Sequence, residues 1–195
     1  MPTLPVLNRI WRFTLIPGLL LCGGTTLFGC GPKPIADPFT VAEAEVAYAR
    51  GKRFLEAGQD TLARAEFERA RGLDPGYAPA YEGLSLVALA QGRIADAIRD
   101  IRLAKLKDTN YVPAWIGTGL LYASAKRYED AIVEYQEALR RDSDRLWTKE
   151  IYYHIGQAYL GLGQIDRARE SFAHALILDP LYLEAAHALA QIPAR

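Results

Sequence analysis

Residues 112–145 read VPAWIGTGLLYASAKRYEDAIVEYQEALRRDSDR, and this stretch decides the fold. Two helical patterns lie in it, one after the other. In the first, Trp115, Gly119 and Tyr122 follow in steps of four and three, the spacing that puts side chains on one face of a helix. In the second, Ala131, Tyr135 and Ala138 repeat those steps with a large ring between two small residues. Glycine in the middle of the first pattern lets a neighbouring helix come close. Nothing in the stretch, or in the chain beyond it, alternates with the two-residue period of a strand, so the body of the protein reads as all-α.

Working outward, the same positions recur on both sides. Ala63, Ala97, Ala131 and Ala168 form one series; Phe67, Ile101, Tyr135 and Phe172 form a second; Ala70, Ala104, Ala138 and Ala175 form a third. Within each the spacings are 34, 34 and 37 residues. The first helix of each unit keeps register too, as Ala47, Tyr81, Trp115 and Tyr152, then Gly51, Ser85, Gly119 and Gly156, then Phe54, Ala88, Tyr122 and Tyr159. Turns at Ala57-Gly58-Gln59-Asp60, Gln91-Gly92-Arg93 and Leu162-Gly163-Gln164 divide the units into helix pairs, with glycine supplying the left-handed residue at a helix end. Pro75 and Pro180 stop the second helix of the first and fourth units, where the second and third carry Thr109 and Ser143 instead. Leu146-Trp147-Thr148 accounts for the three extra residues before the fourth unit, and is expected to lengthen the next helix or form a bulge.

This register resembles the tetratricopeptide repeat family, over about four-fifths of the chain. The resemblance implies a right-handed α-α superhelix of about four hairpins, at about 44–77, 78–111, 112–145 and 149–182, with an extra helix over 183–191 as a cap. A lone hairpin cannot bury its apolar face, so stability comes from stacking. Arg50 stands where later units have Leu84, Thr118 and Ile155, which suits a first unit with one side in solvent.

The N-terminus reads as an address. Arg9 and Arg12 precede a stretch without charge from Phe13 to Pro32, which ends in Leu27-Phe28-Gly29-Cys30 and then turns polar and proline-rich. Those four residues resemble the lipobox of bacterial lipoproteins. The resemblance implies that residues 1–29 are a signal peptide, that Cys30 takes a diacylglyceryl group on sulfur, and that its new amine is acylated. Gly31 in place of an aspartate implies the outer membrane, facing the periplasm. Leu21 makes Cys22 a poor competitor. Two other readings stay open: an uncleaved membrane anchor, and an ordinary cleaved signal. Pro32, Pro34 and Pro38 exclude helix from Gly31 to Phe39, so residues 30–40 form a tether and 41–195 the helical domain.

Composition narrows the function. The 23 basic and 23 acidic residues balance, unlike the basic excess of a nucleic-acid binder. Without residues 1–29, 21 basic and 23 acidic remain. Two cysteines, both near the N-terminus, exclude a disulfide framework or cysteine zinc site in the body. His154, His174 and His187 have no metal-ligand spacing, Gly117-Thr118-Gly119 lacks the strand that a phosphate loop follows, and no nucleophile triad is in place. No cofactor, metal or catalytic residue is expected.

In the resembling family, the first helices line a concave groove that holds a peptide or helix of a partner. Its residues here are Tyr48 and Lys52, Glu82 and Leu86, Ile116 and Leu120, Tyr153 and Gln157, with Leu55, Leu89, Ala123 and Leu160 beside them. Lys52 is the one base in this set, too few for the carboxylate clamp of the chaperone adaptors. A groove rich in Tyr, Ile and Leu suits an apolar strand or an amphipathic helix. The resemblance therefore implies a lipid-anchored scaffold for envelope assembly, either pilotin-like in pilus or secretion systems or an adaptor for cell-wall enzymes. The alternatives are a structural protein whose groove is filled by its own copies, and an enzyme with a site on the concave face.

Overall fold

The computed structural model describes residues 38–192. Residues 1–37 lie outside it, so the expected signal peptide, Cys22, Cys30 and most of the expected tether are not among the described residues. Nine α-helices and no strand make up the described part: α1 Pro38–Glu56, α2 Asp60–Leu73, α3 Ala78–Ala90, α4 Ile94–Lys107, α5 Val112–Ser124, α6 Tyr128–Arg141, α7 Thr148–Gly161, α8 Ile165–Leu178 and α9 Leu183–Ala190. They pack as four antiparallel pairs, α1–α2 to α7–α8, each stacked on the next, with α9 closing the far end. This is the expected all-α repeat superhelix. None of the described helices is long and apolar enough to cross a membrane.

Within each pair the turn is the same. Gly58, Gly92 and Gly163 have φ of 69°, 71° and 70°, and each donates its N–H to the carbonyl three residues back while the next residue reaches five back. The third turn has no glycine, and Lys126 takes the left-handed conformation instead, at φ 59°. The bonds Lys126 N–H to Ala123 (2.9 Å) and Arg127 N–H to Tyr122 (2.9 Å) are those of the other turns, so helix packing holds a residue that the backbone alone disfavours.

Between pairs, an aspartate rather than a proline ends the second helix. Asp74, Asp108 and Asp179 each cap their helix, and their carboxylates accept an N–H two residues on, from Gly76 (2.7 Å), Asn110 (2.8 Å) and Leu181 (3.0 Å). Such a local turn needs no proline, which is why the second unit stops at Lys107 with Thr109 following.

The core repeats a knob-and-socket contact. Phe67, Ile101, Tyr135 and Phe172 of the second helices are nearly or fully buried. Each fits against a small residue of its own first helix, as Phe67 does at Gly51, Tyr135 at Gly119 and Phe172 at Gly156. Each also meets the first helix of the next unit: Phe67 at Gly83, Ile101 at Gly117, Tyr135 at His154 and Phe172 near Ala188. A side chain on Gly156 would lie 2.6 Å from the Phe172 ring. Ser85 fills the socket of the second unit and donates to the Ala97 carbonyl at 2.9 Å, which leaves its buried hydroxyl satisfied. Arg50 is exposed, as expected of an end unit. The second and third units are also joined by Trp115, whose ring is held between Lys105 Nζ (3.8 Å) and Arg141 Cζ (3.7 Å), while Lys105 pairs with Glu134 at 2.6 Å.

Two boundaries differ from the sequence reading. Helix α1 begins at Pro38 and includes Phe39 and Thr40, which the tether reading left outside it. Proline in a first helical turn gives up an N–H that would have no partner there. The three-residue insertion neither bulges α7 nor lengthens it by more than one residue relative to α5. It is taken up in the loop 142–147, with Arg145 at φ 57°.

Candidate functional site: the concave groove

The first helices α1, α3, α5 and α7 stand side by side and line a concave groove of about 1020 Å³. Six of the eight expected lining residues meet there: Tyr48, Lys52, Glu82, Leu86, Ile116 and Leu120. Tyr153 and Gln157 keep register with them but lie outside the cavity. Each first helix shows the groove two stripes. The one holding Tyr48, Glu82, Ile116 and Tyr153 leans towards the next unit, and in the fourth unit the next element is the cap. Tyr153 accordingly packs on Phe172 and Tyr182 (centroids 5.8 and 5.6 Å), and Gln157 donates to its hydroxyl at 3.0 Å. The other stripe faces back, and from α7 it brings Glu150 and His154 into the groove.

One end of the groove is polar and half-buried. Tyr48 donates its hydroxyl to Glu82 Oε2 at 3.0 Å, one repeat away, and packs edge-on against Tyr77. Burial drives the pKa of Glu82 up, while the hydrogen bond from Tyr48 and the positive charge of Lys52 pull it down. Tyr48 and Tyr111 are pushed well above the ordinary phenol range, first by burial and then by the charge of Glu82. Both phenols therefore stay protonated at any ordinary pH. Across the groove, burial lowers the pKa of His154, whose ring stacks on Tyr135 (centroids 5.6 Å, 20° between planes) with Tyr153 edge-on at 5.4 Å. A neutral imidazole in an aromatic setting is what that burial favours. Between the two ends lie Leu86, Ile116 and Leu120, of which Leu120 is 40% exposed. The arrangement offers an apolar strip flanked by hydrogen-bonding groups, which is recognition chemistry.

The far wall comes from parts that the first-helix pattern does not reach. Arg140, Arg141 and Asp142 at the end of α6, with Leu146 and Trp147 of the loop, line it. The groove thus carries more basic groups than Lys52, although Arg141 is engaged with Trp115, the Thr109 carbonyl (2.9 Å) and Glu137. Asp142, buried, organises the wall: its carboxylate accepts from the N–H groups of Leu146 (3.1 Å) and Trp147 (3.0 Å) and from Thr148 Oγ1 (2.7 Å). It is the aspartate that ends the third unit, adapted to the longer loop. Asp142→Ala is expected to cost about 2–3 kcal/mol, because it leaves two backbone donors without their acceptor. Urea unfolding checks this, and Asp142→Asn, which still accepts through its amide oxygen, is expected to recover part of the loss.

Two tetratricopeptide repeat models match the chain, over residues 48–111 and 113–180, together more than half of its length. No curated protein matches at the sequence level. Among solved structures, PilF of Pseudomonas aeruginosa is similar with a TM-score of 0.72 and 22% identity, over 79% of this chain and 69% of that one. PilW, a widely conserved type IV pilus biogenesis factor, gives 0.71 and 17%, over 76% and 68%. The TPR2B domain of yeast Sti1, in its pHsp70 complex, gives 0.55 and 22%, over 61% and 98%. At these identities the likeness is one of fold. With its helix pairs, its 34-residue register and two family models spanning residues 48 to 180, the chain belongs to the tetratricopeptide repeat family.

Proposed function

We propose that the protein is a lipid-anchored scaffold of the bacterial envelope, whose concave groove holds an apolar strand or amphipathic helix of a partner during assembly of a larger machine. The observation that carries this reading is the groove itself: Leu86, Ile116 and Leu120 between the Tyr48–Glu82 pair and the Arg140–Trp147 wall. An apolar segment would cover the strip, and its polar flank would find donors and acceptors at either end. The likeness in fold to PilF and to the pilus biogenesis factor PilW favours a pilotin-like role over one with cell-wall enzymes, while the lipobox-like Leu27–Cys30 suits either.

The test is capture by cross-linking from membranes with the intact protein and with Leu120→Arg. A buried cation in the strip is expected to weaken capture of the specific partner at least about tenfold, a loss of about 1.4 kcal/mol. Because Leu120 is 40% exposed, the melting temperature should barely move. Secretin subunits among the proteins that depend on Leu120 support the pilotin-like role; cell-wall hydrolases or synthases point to the adaptor. Equal capture by both forms overturns the groove reading. The mass in detergent separates either from self-association through the groove.

A further inference from the structure

In an antiparallel stack, the starts of α1, α3, α5, α7 and α9 share one edge with the ends of α2, α4, α6 and α8. The chain enters the domain at this edge, at Pro38. The large hydrophobic side chains are distributed unevenly about it. Among the described residues, Phe39, Leu106, Leu146, Ile177, Leu181 and Leu183 are 73% to 83% exposed, and the next most exposed is Val133 at 56%. All six belong to this edge: the first turn of α1, the last turns of α4 and α8, the loop 142–147, and the turn into α9. Trp147 stands beside Leu146, and the cations Lys107 and Arg145 lie on the same edge. The opposite edge, with the turns at Gly58, Gly92, Lys126 and Gly163, is polar; its apolar residues Leu62, Ile94 and Ile165 are 49%, 50% and 38% exposed.

We propose that this edge rests on the lipid bilayer, with Leu146, Trp147, Leu181 and Leu183 in the interface. The inference builds on the lipid-anchor reading. Cys30 precedes Pro38 by eight residues, whose contour is at most about 29 Å. A lipid at Cys30 would therefore enter the domain from this edge, with Pro38 at most about 29 Å of chain from the bilayer. Leucines with a tryptophan suit the boundary between headgroups and acyl chains, where the indole keeps a polar contact and its ring leaves water. Flanking Lys and Arg side chains reach the phosphates. Held this way, the stack stands with its edge on the membrane and the groove opens sideways along it, accessible to a partner at the same surface.

The test uses the full chain, expressed with its own N-terminus and reconstituted into vesicles of phosphatidylethanolamine and phosphatidylglycerol with brominated acyl chains. Two readouts are taken together: flotation with the vesicles, and tryptophan emission. The expected result is flotation with loss of the Trp147 contribution, identified as the quenched component that Trp147→Phe removes. Trp115, enclosed by Lys105 and Arg141, should stay bright. The triple variant Leu146→Ser, Leu181→Ser, Leu183→Ser should still float but regain Trp147 emission. Since these side chains project into solvent, the variant should fold, and its helical circular dichroism verifies that. Flotation with Trp147 unquenched overturns this inference and leaves the anchor reading intact. Failure to float overturns both. A dimer in detergent that the triple variant splits gives the edge to a second copy and overturns the bilayer assignment.

Discussion

Phe67→Ala is expected to destabilise the protein by about 3–5 kcal/mol, the cost of emptying a large aromatic site that cannot close. Phe67 is 0% exposed. Its ring fills the space between α1 and α3, so close to both that a side chain on Gly51 or on Gly83 would come within 2.5 Å of it. The ring of Tyr48 lies 5.7 Å away on the groove side. A whole domain is stable by about 5–15 kcal/mol, so the loss is a large fraction of the total. In a stack of repeats the loss stays near its source, because each hairpin is held only by its neighbours. Amide exchange should therefore rise across α1 and α2 while α5 to α8 remain protected. The groove would lose Tyr48 and Lys52 with that hairpin, so partner capture should fall as well.

The same contact makes a second measurement informative. Gly83→Ala adds one methyl against the Phe67 ring and should cost about 1–3 kcal/mol by overpacking. In the Phe67→Ala background the methyl enters the vacated space, so the two losses should not add. A coupling of about 1 kcal/mol or more in the double-mutant cycle is the signature of direct contact. Additive losses would mean that the first two units do not meet through Phe67.

Much of this architecture is legible in the sequence because it rests on a contact that leaves a compositional mark. A ring such as Phe67 needs Gly51 before it and Gly83 after it, and a large residue following a small one on the first helix recurs at spacings of 34, 34 and 37 residues. The stripe Gly83, Gly117, His154, Ala188 carries the same information but is hidden by its histidine, which stacks on Tyr135 where a small residue sits elsewhere. The third turn is illegible for a different reason: Lys126 holds a left-handed conformation through its surroundings, not its type. The groove was readable where the repeat alone positions a side chain, as at Tyr48, Glu82, Ile116 and Leu120. The Tyr48–Glu82 bond could have been found by pairing first-helix residues 34 apart. Arg140, Arg141 and Trp147 reach the groove from the ends of elements, and Asp142 acts across a loop where the period breaks, so no register points to them. Tyr153 and Gln157 keep the register but lie outside the cavity, because the repeat rule is blind to where the stack stops.

Cys30→Ala is expected to abolish incorporation of labelled palmitate completely and to leave the protein in a larger, unprocessed form that keeps residues 1–29. The size of the effect follows from chain number. Each buried methylene contributes about 0.8 kcal/mol, one acyl chain gives marginal and reversible binding, and stable anchoring takes more than one. On the lipoprotein reading proposed above, a diacylglyceryl group on sulfur and an acyl group on the amine would together exceed that requirement, and a single atom, the Cys30 sulfur, would begin the sequence of modifications. On that reading, without the thiol there would be no diacylglyceryl transfer and no cleavage that depends on it. Cys22→Ala, placed behind a leucine too large for the cut, should label as the unaltered protein does. The two other readings of the N-terminus give different patterns. An uncleaved apolar anchor predicts membrane association without label in every form, and an ordinary cleaved signal predicts a soluble, unlabelled product from the start. Unchanged labelling of Cys30→Ala would remove the lipobox assignment, and with it the reason for expecting one edge of the stack to face lipid. A protein labelled and processed only while Cys30 is present would instead put the start of the helices at most about 29 Å of chain from the bilayer.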